Sequence, residues 1–316
     1  MTEVKHAAAK MPKKQLLFLL MLICLLLLLV FSSPVAEAVR RALARCYQTI
    51  IPSLFPFMIL SELLIAAQEK KKKERVRLDR MCKAIWGIPL IGMRAFLLGA
   101  LCGFPIGVKH VADLYRAGEL TRAEAEQALA FVDNTGPAFV IAGIGSLLGN
   151  RHIGLALYLL QLLCALASGA LLARLAPAKP DNTRYHAENN AVVFDIAAAV
   201  RRSVGNMLTV CGMIVAFSIP LVFLNQMTKN TVLLSFFSSF FEIGNASLLA
   251  ANLFPAAPRA ALLALANAVC FGGLSVHLQA AVFVADLPLS LRRHTAGKLV
   301  QAALASFAML LCTLGF

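Results

Sequence analysis

Residues 264–286 read ALANAVCFGGLSVHLQAAVFVAD, an apolar stretch that is interrupted at its centre. Gly272 and Gly273 stand side by side, and each glycine weakens a helix by about 1 kcal/mol relative to alanine. The polar side chains that follow are Ser275, His277 and Gln279. Such side chains are costly in hydrocarbon unless they face a partner or a wet cavity. The stretch predicts a discontinuous membrane helix whose free backbone groups line a site. A Gly-Gly helix crossing with a satisfied core histidine is the plainer alternative.

A second stretch, residues 100–115, has the same order of features: ALCGFPIGVKHVADLY. A cysteine comes first, then a glycine-containing break that begins at Gly103, and then a basic side chain, Lys109, where the other stretch has His277. The shared order predicts that the two halves of the chain are diverged repeats in inverted orientation, each with its own broken helix.

The composition is typical of a membrane protein that crosses the bilayer several times. Of the 316 residues, 59% are hydrophobic and 15% are charged, whereas soluble domains carry about 25% charged residues. The mean hydropathy is +0.76. The net charge of +14 comes from basic clusters between apolar runs, which indicates cytoplasmic loops rather than a nucleic-acid-binding surface. We therefore predict an all-α polytopic fold with roughly seven to nine membrane segments.

Nothing in the sequence indicates an enzyme. The eight cysteines stand singly, so neither a disulfide framework nor a zinc site is expected. The sequence has no phosphate-binding loop, no Gly-x-Ser-x-Gly and no His-Glu-x-x-His. We expect no metal and no cofactor.

The predicted organisation has four parts. Residues 1–35 form an N-terminal membrane span, although a cleavable signal peptide shows the same pattern. Residues 36–176 form the first repeat and contain a basic cytoplasmic loop at 69–83. Residues 177–194 form a polar linker, and 195–316 form the second repeat.

Prolines and isolated polar residues mark further positions within apolar segments. Pro52 and Pro56 predict a re-entrant hairpin or a kinked span over residues 50–67, which also contain Glu62. Glu242 and Asn245 stand in an aromatic-rich apolar run, where burying them without purpose is expensive. The cluster Asn134, Thr135 and Gly136 precedes a buried helix. It either caps that helix or directs backbone N–H groups at an anion.

Four segments together resemble the YlbJ-type sporulation integral membrane proteins, which belong with the nucleoside-recognition, or Gate, domain proteins. They are IIPSLFPFMILSELL at 50–64, GFPIGVKHVADLYRAGELTRAEAEQALAF at 103–131, NTGPAFVIAGIG at 134–145 and FGGLSVHLQ at 271–279. The resemblance implies a protein of the outer forespore membrane that moves dipicolinic acid during spore formation. It also implies a fold related to concentrative nucleoside transporters.

Dipicolinate is a small planar dianion, so its site needs hydrogen-bond donors or a cation rather than a metal. The residues we expect to bind it are Asn134, Thr135, Gly136, Gly272, Gly273, Ser275, His277, Gly103 and Lys109. Those we expect to gate or to couple transport are Glu62, Glu242 and Asn245, the two carboxylates by pairing with Lys109 or His277 or by carrying a proton.

Two other functions fit the same residues. A transporter of nucleosides or other small solutes would use the carboxylates to bind ribose hydroxyls. A non-transporting spore-maturation protein would recruit partners through the basic loop. In each case the expected partners are the lipid bilayer and, in a homo-oligomer, a second copy of the chain, and not nucleic acid.

Overall fold

The computed structural model describes residues 13–66, 76–177, 181, 183–185 and 195–314. Within these ranges all regular structure is helical, which confirms the predicted all-α class. In the first half the helices are α1 (Lys13–Val30), α2 (Ser32–Arg45), α3 (Ile51–Ala66), α4 (Val76–Trp86), α5 (Leu90–Cys102), α6 (Ile106–Arg116), α7 (Arg122–Leu129), α8 (Gly145–Leu147) and α9 (Arg151–Leu175). In the second half they are α10 (Ile196–Met227), α11 (Thr231–Phe241), α12 (Ile243–Leu253), α13 (Pro258–Phe271), α14 (Gly273–Val284) and α15 (Arg292–Leu314). Two π-helical segments, Cys46–Ile50 and Ala138–Ile144, precede α3 and α8.

Among the described residues, five helical stretches are long and apolar enough to cross a membrane, and there are six if the bent pair α4 and α5 is one span. The five are Ser32–Leu64, Arg151–Leu175, Ile196–Met227, Pro258–Val284 and Arg292–Cys312. Three shorter apolar helices are Lys14–Val30, Ala138–Leu147 and Thr231–Phe241. The polytopic class is therefore confirmed. The expected seven to nine segments are reached only when the shorter helices are counted as well.

Of the two alternatives predicted for residues 50–67, the described residues exclude the re-entrant hairpin and leave the kinked span, because residues 51–64 continue one helical stretch, Ser32–Leu64. Pro52 is the second residue of α3, and the helix continues through it. Pro56 lies inside the helix, and the preceding turn, Cys46–Ile50, is π-helical. The Ser53 hydroxyl donates to the Ile50 carbonyl at 3.1 Å and so satisfies one backbone group of this irregular region.

Four breaks interrupt the helices that carry the predicted site residues. They lie at residues 103–105 between α5 and α6, at 133–136 after α7, at Glu242 between α11 and α12, and at Gly272 between α13 and α14. Two of these are the breaks that the sequence predicts.

The buried apolar core surrounds the breaks on two sides. One cluster joins α5, α6, α7 and α14, with Phe131 and Tyr115 as its largest side chains. A second cluster joins α9, α12, α13 and α15 and includes Phe104 and Phe271. These cores hold the ends of the interrupted helices in place.

Parts of all four predicted segments lie outside the described residues. They are residues 1–12 of the N-terminal span, 67–75 of the first repeat with part of its basic run, 178–180, 182 and 186–194 of the linker, and 315–316 of the second repeat. The remainder of the basic run, residues 76–83, is helical and belongs to α4.

Candidate functional site

The two breaks predicted from the sequence touch each other. A Cβ atom placed on Gly272 would lie 3.1 Å from Cζ of Phe104, which stands in the break between α5 and α6. Gly103 in turn lies against the break at residues 133–136, because a Cβ on it would lie 2.8 Å from the backbone nitrogen of Gly136. Residues about 170 positions apart in the chain therefore meet at one place.

The break at Glu242 contacts the break at Gly272 through Gly273. A Cβ on Gly273 would lie 2.8 Å from the carbonyl oxygen of Phe241 and 3.0 Å from the backbone nitrogen of Glu242. The φ angle of Gly273 is +78°, a conformation that L side chains rarely adopt. Glycine is required here both by the backbone conformation and by the close approach.

Two neighbouring cavities open beside the breaks, one of about 330 Å³ and one of about 50 Å³. Their walls share Ile50, Phe139, Ile214 and Glu242. The cavities are therefore adjacent, and the Glu242 break stands between them.

The smaller cavity collects several predicted binding residues. Thr135, Gly136 and Ser275 line it together with Gln279. The Oε1 atom of Gln279 is buried and has no hydrogen-bond partner in the described part of the chain. A polar ligand or water in this cavity would satisfy that amide.

The larger cavity contains a cation whose donors are only partly used. Arg45, on α2, lines it, and its side chain is 21% exposed. The Nε and Nη1 atoms are buried, and neither has a hydrogen-bond partner among the described residues. The Oε2 atom of Glu242 lies 3.9 Å from Nη1 of Arg45. An ion pair at this distance leaves guanidinium donors free for a ligand.

Glu242 is engaged as a helix cap. Its two carboxylate oxygens accept the backbone N–H groups of Gly244 and Asn245, both at 2.7 Å, at the start of α12. These donors and the helix dipole stabilise the negative charge of Glu242, which stands 3.9 Å from the Arg45 guanidinium. The side-chain nitrogen of Asn245 is buried and without a hydrogen-bond partner within the described ranges.

Glu62 and Lys109 form a separate network of ion pairs. The Lys109 ammonium lies 2.8 Å from Glu62 and 2.7 Å from Asp113, and Nε of Arg202 donates to Glu62 at 2.8 Å. The side chains of Glu62 and Lys109 are 5% and 11% exposed. Lys109 therefore has two carboxylate partners already. Glu62 does pair with Lys109, as one of the sequence-based alternatives expects.

This network continues toward the surface through Arg116. Arg116 lies 3.2 Å from Asp113 and 2.7 Å from Asp286, which follows α14. The hydrogen bond from Arg116 lowers the pKa of the exposed Asp286 carboxyl below its usual value. The ion pairs thus link α10, α3 and α6 to the end of α14.

His277 lies in a third cluster. Its Nδ1 atom is 2.9 Å from the carbonyl oxygen of Gly273, and its ring centroid is 5.0 Å from that of His294. Nε2 of His294 is 2.9 Å from Oδ2 of Asp133, and Lys298 donates to the backbone carbonyl of Asp133. Asp133 and His294 are 0% exposed.

The structure therefore distributes the predicted site residues over more than one place. Thr135, Gly136 and Ser275 line the smaller cavity, where Glu242 also stands. Gly103, Gly272 and Gly273 form the contacts between breaks, while Lys109 and His277 belong to the two other clusters. Asn134 donates from Nδ2 to the carbonyl of Phe131 at 2.9 Å, which is a local turn contact.

Several ionisable side chains outside the predicted set stand at or beside these sites, among them Arg45, His294 and Lys298. Arg45 belongs to a basic amphipathic helix that reads as interfacial, and His294 and Lys298 stand at the start of the last span. A basic residue in such a place usually faces headgroups or water, so the sequence alone carries no signal for them. In the described part of the chain, no group of three or more His, Cys, Asp or Glu is placed to hold a metal ion.

Comparison with known proteins gives one curated relative. The chain is similar to sporulation integral membrane protein YlbJ of Bacillus subtilis (strain 168). The two are 28% identical over 213 residues, which cover 60% of this chain and 52% of YlbJ. The similarity supports the YlbJ-type assignment that the motifs predict.

The chain matches YlbJ over about half of that protein's length. No family model matches the chain, and no solved structure matches it. The chain is thus a multi-pass membrane protein related to a sporulation protein, as YlbJ and the apolar helices together indicate. The relation to Gate domains, the internal repeats and the four-part division of the chain remain predictions.

Proposed function

We propose that this chain moves a small organic anion, dipicolinate in particular, across the outer forespore membrane of a sporulating cell. The observation that carries the proposal is the meeting of the helix breaks beside a cavity that Arg45 lines, where its Nε and Nη1 atoms have no hydrogen-bond partner among the described residues. Broken helices around a buried site are the usual construction of secondary transporters. The similarity to a sporulation membrane protein supports the cellular setting.

The chemistry of the larger cavity suits a ring that carries carboxylates. Its volume of about 330 Å³ is at the lower end of the range for small-molecule sites. Most of its wall is apolar, including Ile50, Phe139 and Ile214, which suits the face of an aromatic ring. A guanidinium binds a carboxylate through charge-assisted and often paired hydrogen bonds. Arg45 is therefore the proposed carboxylate partner.

The state of the two buried glutamates favours an anion over a nucleoside. Both oxygens of Glu242 already accept backbone N–H groups, and both oxygens of Glu62 are paired, with Lys109 and Arg202. Each carboxylate oxygen thus already has a partner in this conformation, and a ribose hydroxyl would have to share it. Lys109, which the sequence suggests for the solute, is proposed instead to hold α6 against α3.

The test is solute flux in liposomes that contain the purified full chain. Uptake of radiolabelled dipicolinate should exceed that of protein-free liposomes, and uptake of uridine should not. Saturable uridine uptake without dipicolinate uptake would replace the proposed solute by a nucleoside. Uptake of neither solute would count against transport and would favour a non-transporting protein that binds partners through the basic run 69–83.

A further inference from the structure

We propose that His277 and His294, held by Asp133, form a buried binding site for one proton that travels with the solute. This inference rests on the proposed function, because it names the ion that is coupled to transport. It is drawn from the positions of the hydrogen-bond partners around the two imidazole rings.

The partners of each ring determine which nitrogen is protonated. The Gly273 carbonyl can only accept, so Nδ1 of His277, 2.9 Å away, carries the hydrogen. An ionised Asp133 carboxylate also only accepts, so Nε2 of His294 carries the hydrogen. The basic nitrogens that remain are Nε2 of His277 and Nδ1 of His294. Both are buried, and neither has a hydrogen-bond partner in the ranges that the structure describes.

The two vacant nitrogens belong to neighbouring rings, of which His294 is fully buried and His277 is partly buried. The ring centroids are 5.0 Å apart, with the planes inclined at 79°. Phe271 lies against the other side of His277, with its ring centroid 4.7 Å away. Such a pair of rings can accept one proton between them while the apolar neighbours exclude bulk water.

The charged and titratable groups that face the pair determine what an added proton does. Asp133 faces it from the break after α7, Lys298 faces it from α15, and Cys270 of α13 lies near the Lys298 ammonium. Arg293, although next to His294 in the chain, donates instead to Gln127 and Ala176.

The charges of Asp133 and Lys298 cancel, so the cluster is neutral when both imidazoles are neutral. One added proton makes it cationic. A buried positive charge offsets one negative charge of a carboxylate solute, which lowers the cost of holding that solute in hydrocarbon.

The proton site and the smaller cavity, which adjoins the proposed solute cavity, lie on opposite sides of the same two interrupted elements. Ser275 and Gln279 of α14 line the smaller cavity, whereas His277, two positions from each on the helix, faces the histidine cluster. In the break after α7, Thr135 lines the cavity and Asp133 binds His294. A movement of either element changes both sites together.

Phe104 lies between the smaller cavity and the histidine cluster. Its ring lines the smaller cavity, and the Lys298 ammonium lies 4.8 Å from its centroid. In the proposed cycle, a proton from water on one side adds to a vacant imidazole nitrogen and is returned to water on the other side. On uptake the N–H bond forms as an O–H bond of hydronium breaks, and on release the N–H bond breaks as an O–H bond forms.

The experiment measures dipicolinate and protons in the same liposomes. Radiolabelled dipicolinate reports solute, a trapped pH-sensitive dye reports protons, and potassium with valinomycin clamps the membrane potential. An inward gradient of about one pH unit should concentrate dipicolinate about tenfold for each coupled proton. Dipicolinate added outside should acidify the lumen.

Two variants and a matched control separate the proton site from the solute site. His277→Gln and His294→Gln should lose the acidification and the gradient-driven accumulation, each measured relative to the same variant's dipicolinate exchange at equal pH. His152→Gln, which removes an exposed imidazole at the start of α9, should behave as the wild type.

Dipicolinate flux in the wild type without proton movement overturns this inference and leaves the proposed function standing, as does full coupling in both cluster variants. Absence of any dipicolinate flux in the wild type overturns the proposed function and this inference with it. The wild-type measurement decides the question even where a variant does not fold.

Discussion

Replacing Gly273 by alanine should destabilise the protein more than any ordinary surface change. An alanine at φ +78° costs about 1 to 2 kcal/mol. Its Cβ would also lie 2.8 Å from the carbonyl oxygen of Phe241 and 3.0 Å from the nitrogen of Glu242. Because both contacts are to backbone, neither neighbour can swing aside, and overpacking of this kind costs about 1 to 3 kcal/mol. The expected loss in the free energy of unfolding is about 2 to 5 kcal/mol.

Two other glycines separate the causes. Gly149 has a φ of +66°, with no atom within 4 Å of an added Cβ among the described residues, so Gly149→Ala should cost only the conformational part. Gly212 lies within α10, where an added Cβ is also free of contacts in the described structure. Gly212→Ala should therefore be neutral or stabilise the helix by up to about 1 kcal/mol.

Unfolding in mixed micelles can be followed by the fluorescence of the single tryptophan. Its indole N–H, at Trp86, donates to the carbonyl oxygen of Leu166 at 3.0 Å, so unfolding changes its surroundings. A Gly273→Ala variant that is no less stable than Gly149→Ala would show that the break at Gly272 does not press on the break at Glu242. The reasoning that brings the breaks together would then fail.

Three further predictions concern single side chains. Arg45→Gln should weaken dipicolinate binding about tenfold to a hundredfold, which is the value of a charge-assisted hydrogen bond. Titration calorimetry measures this change, and it should find none for the control Arg41→Gln, which removes an exposed cation of the same helix. Glu62→Gln and Lys109→Gln should each destabilise the protein. A double-mutant cycle of unfolding free energies should reveal a coupling of about 1 to 3 kcal/mol between them, because the pair is buried. Additive losses would show that the two side chains do not interact. Thr121→Ala removes the capping box of α7 and should cost about 1 kcal/mol without altering dipicolinate flux, so a flux defect at unchanged stability would contradict this assignment.

The positions of two breaks could be predicted because local chemistry determines them. Gly272 and Gly273 adopt positive φ, and Gly103 does so two residues before Pro105, where a helix cannot continue unbroken. The prolines of residues 50–67 left a hairpin and a kinked span open, and the described residues exclude the hairpin. A π-helical turn directly upstream accommodates the irregularity at Pro52 without ending the helix.

The composition of the sites could not be predicted, because it depends on residues far apart in the chain. Asp133 and His294 are 161 positions apart, and no local pattern couples them. Arg45 becomes a candidate anion ligand only because α2 ends beside the start of α12. Lys109 carries the right charge for an anion, but the approach of Glu62 gives that charge another role.

The most direct test of a solute site between the breaks is to fill the larger cavity with a side chain and to measure dipicolinate binding. Gly143 lines that cavity, and a Cβ on it would meet a single described atom within 4 Å, the carbonyl oxygen of Ala138 at 3.8 Å. Gly143→Leu should therefore fold and occupy the cavity, whereas Gly205→Leu adds the same side chain at an exposed position of α10. Titration calorimetry should find dipicolinate binding in the wild type and in Gly205→Leu, and at least about tenfold weaker binding in Gly143→Leu. Equal affinity in all three proteins would contradict the placement of the solute between the broken helices.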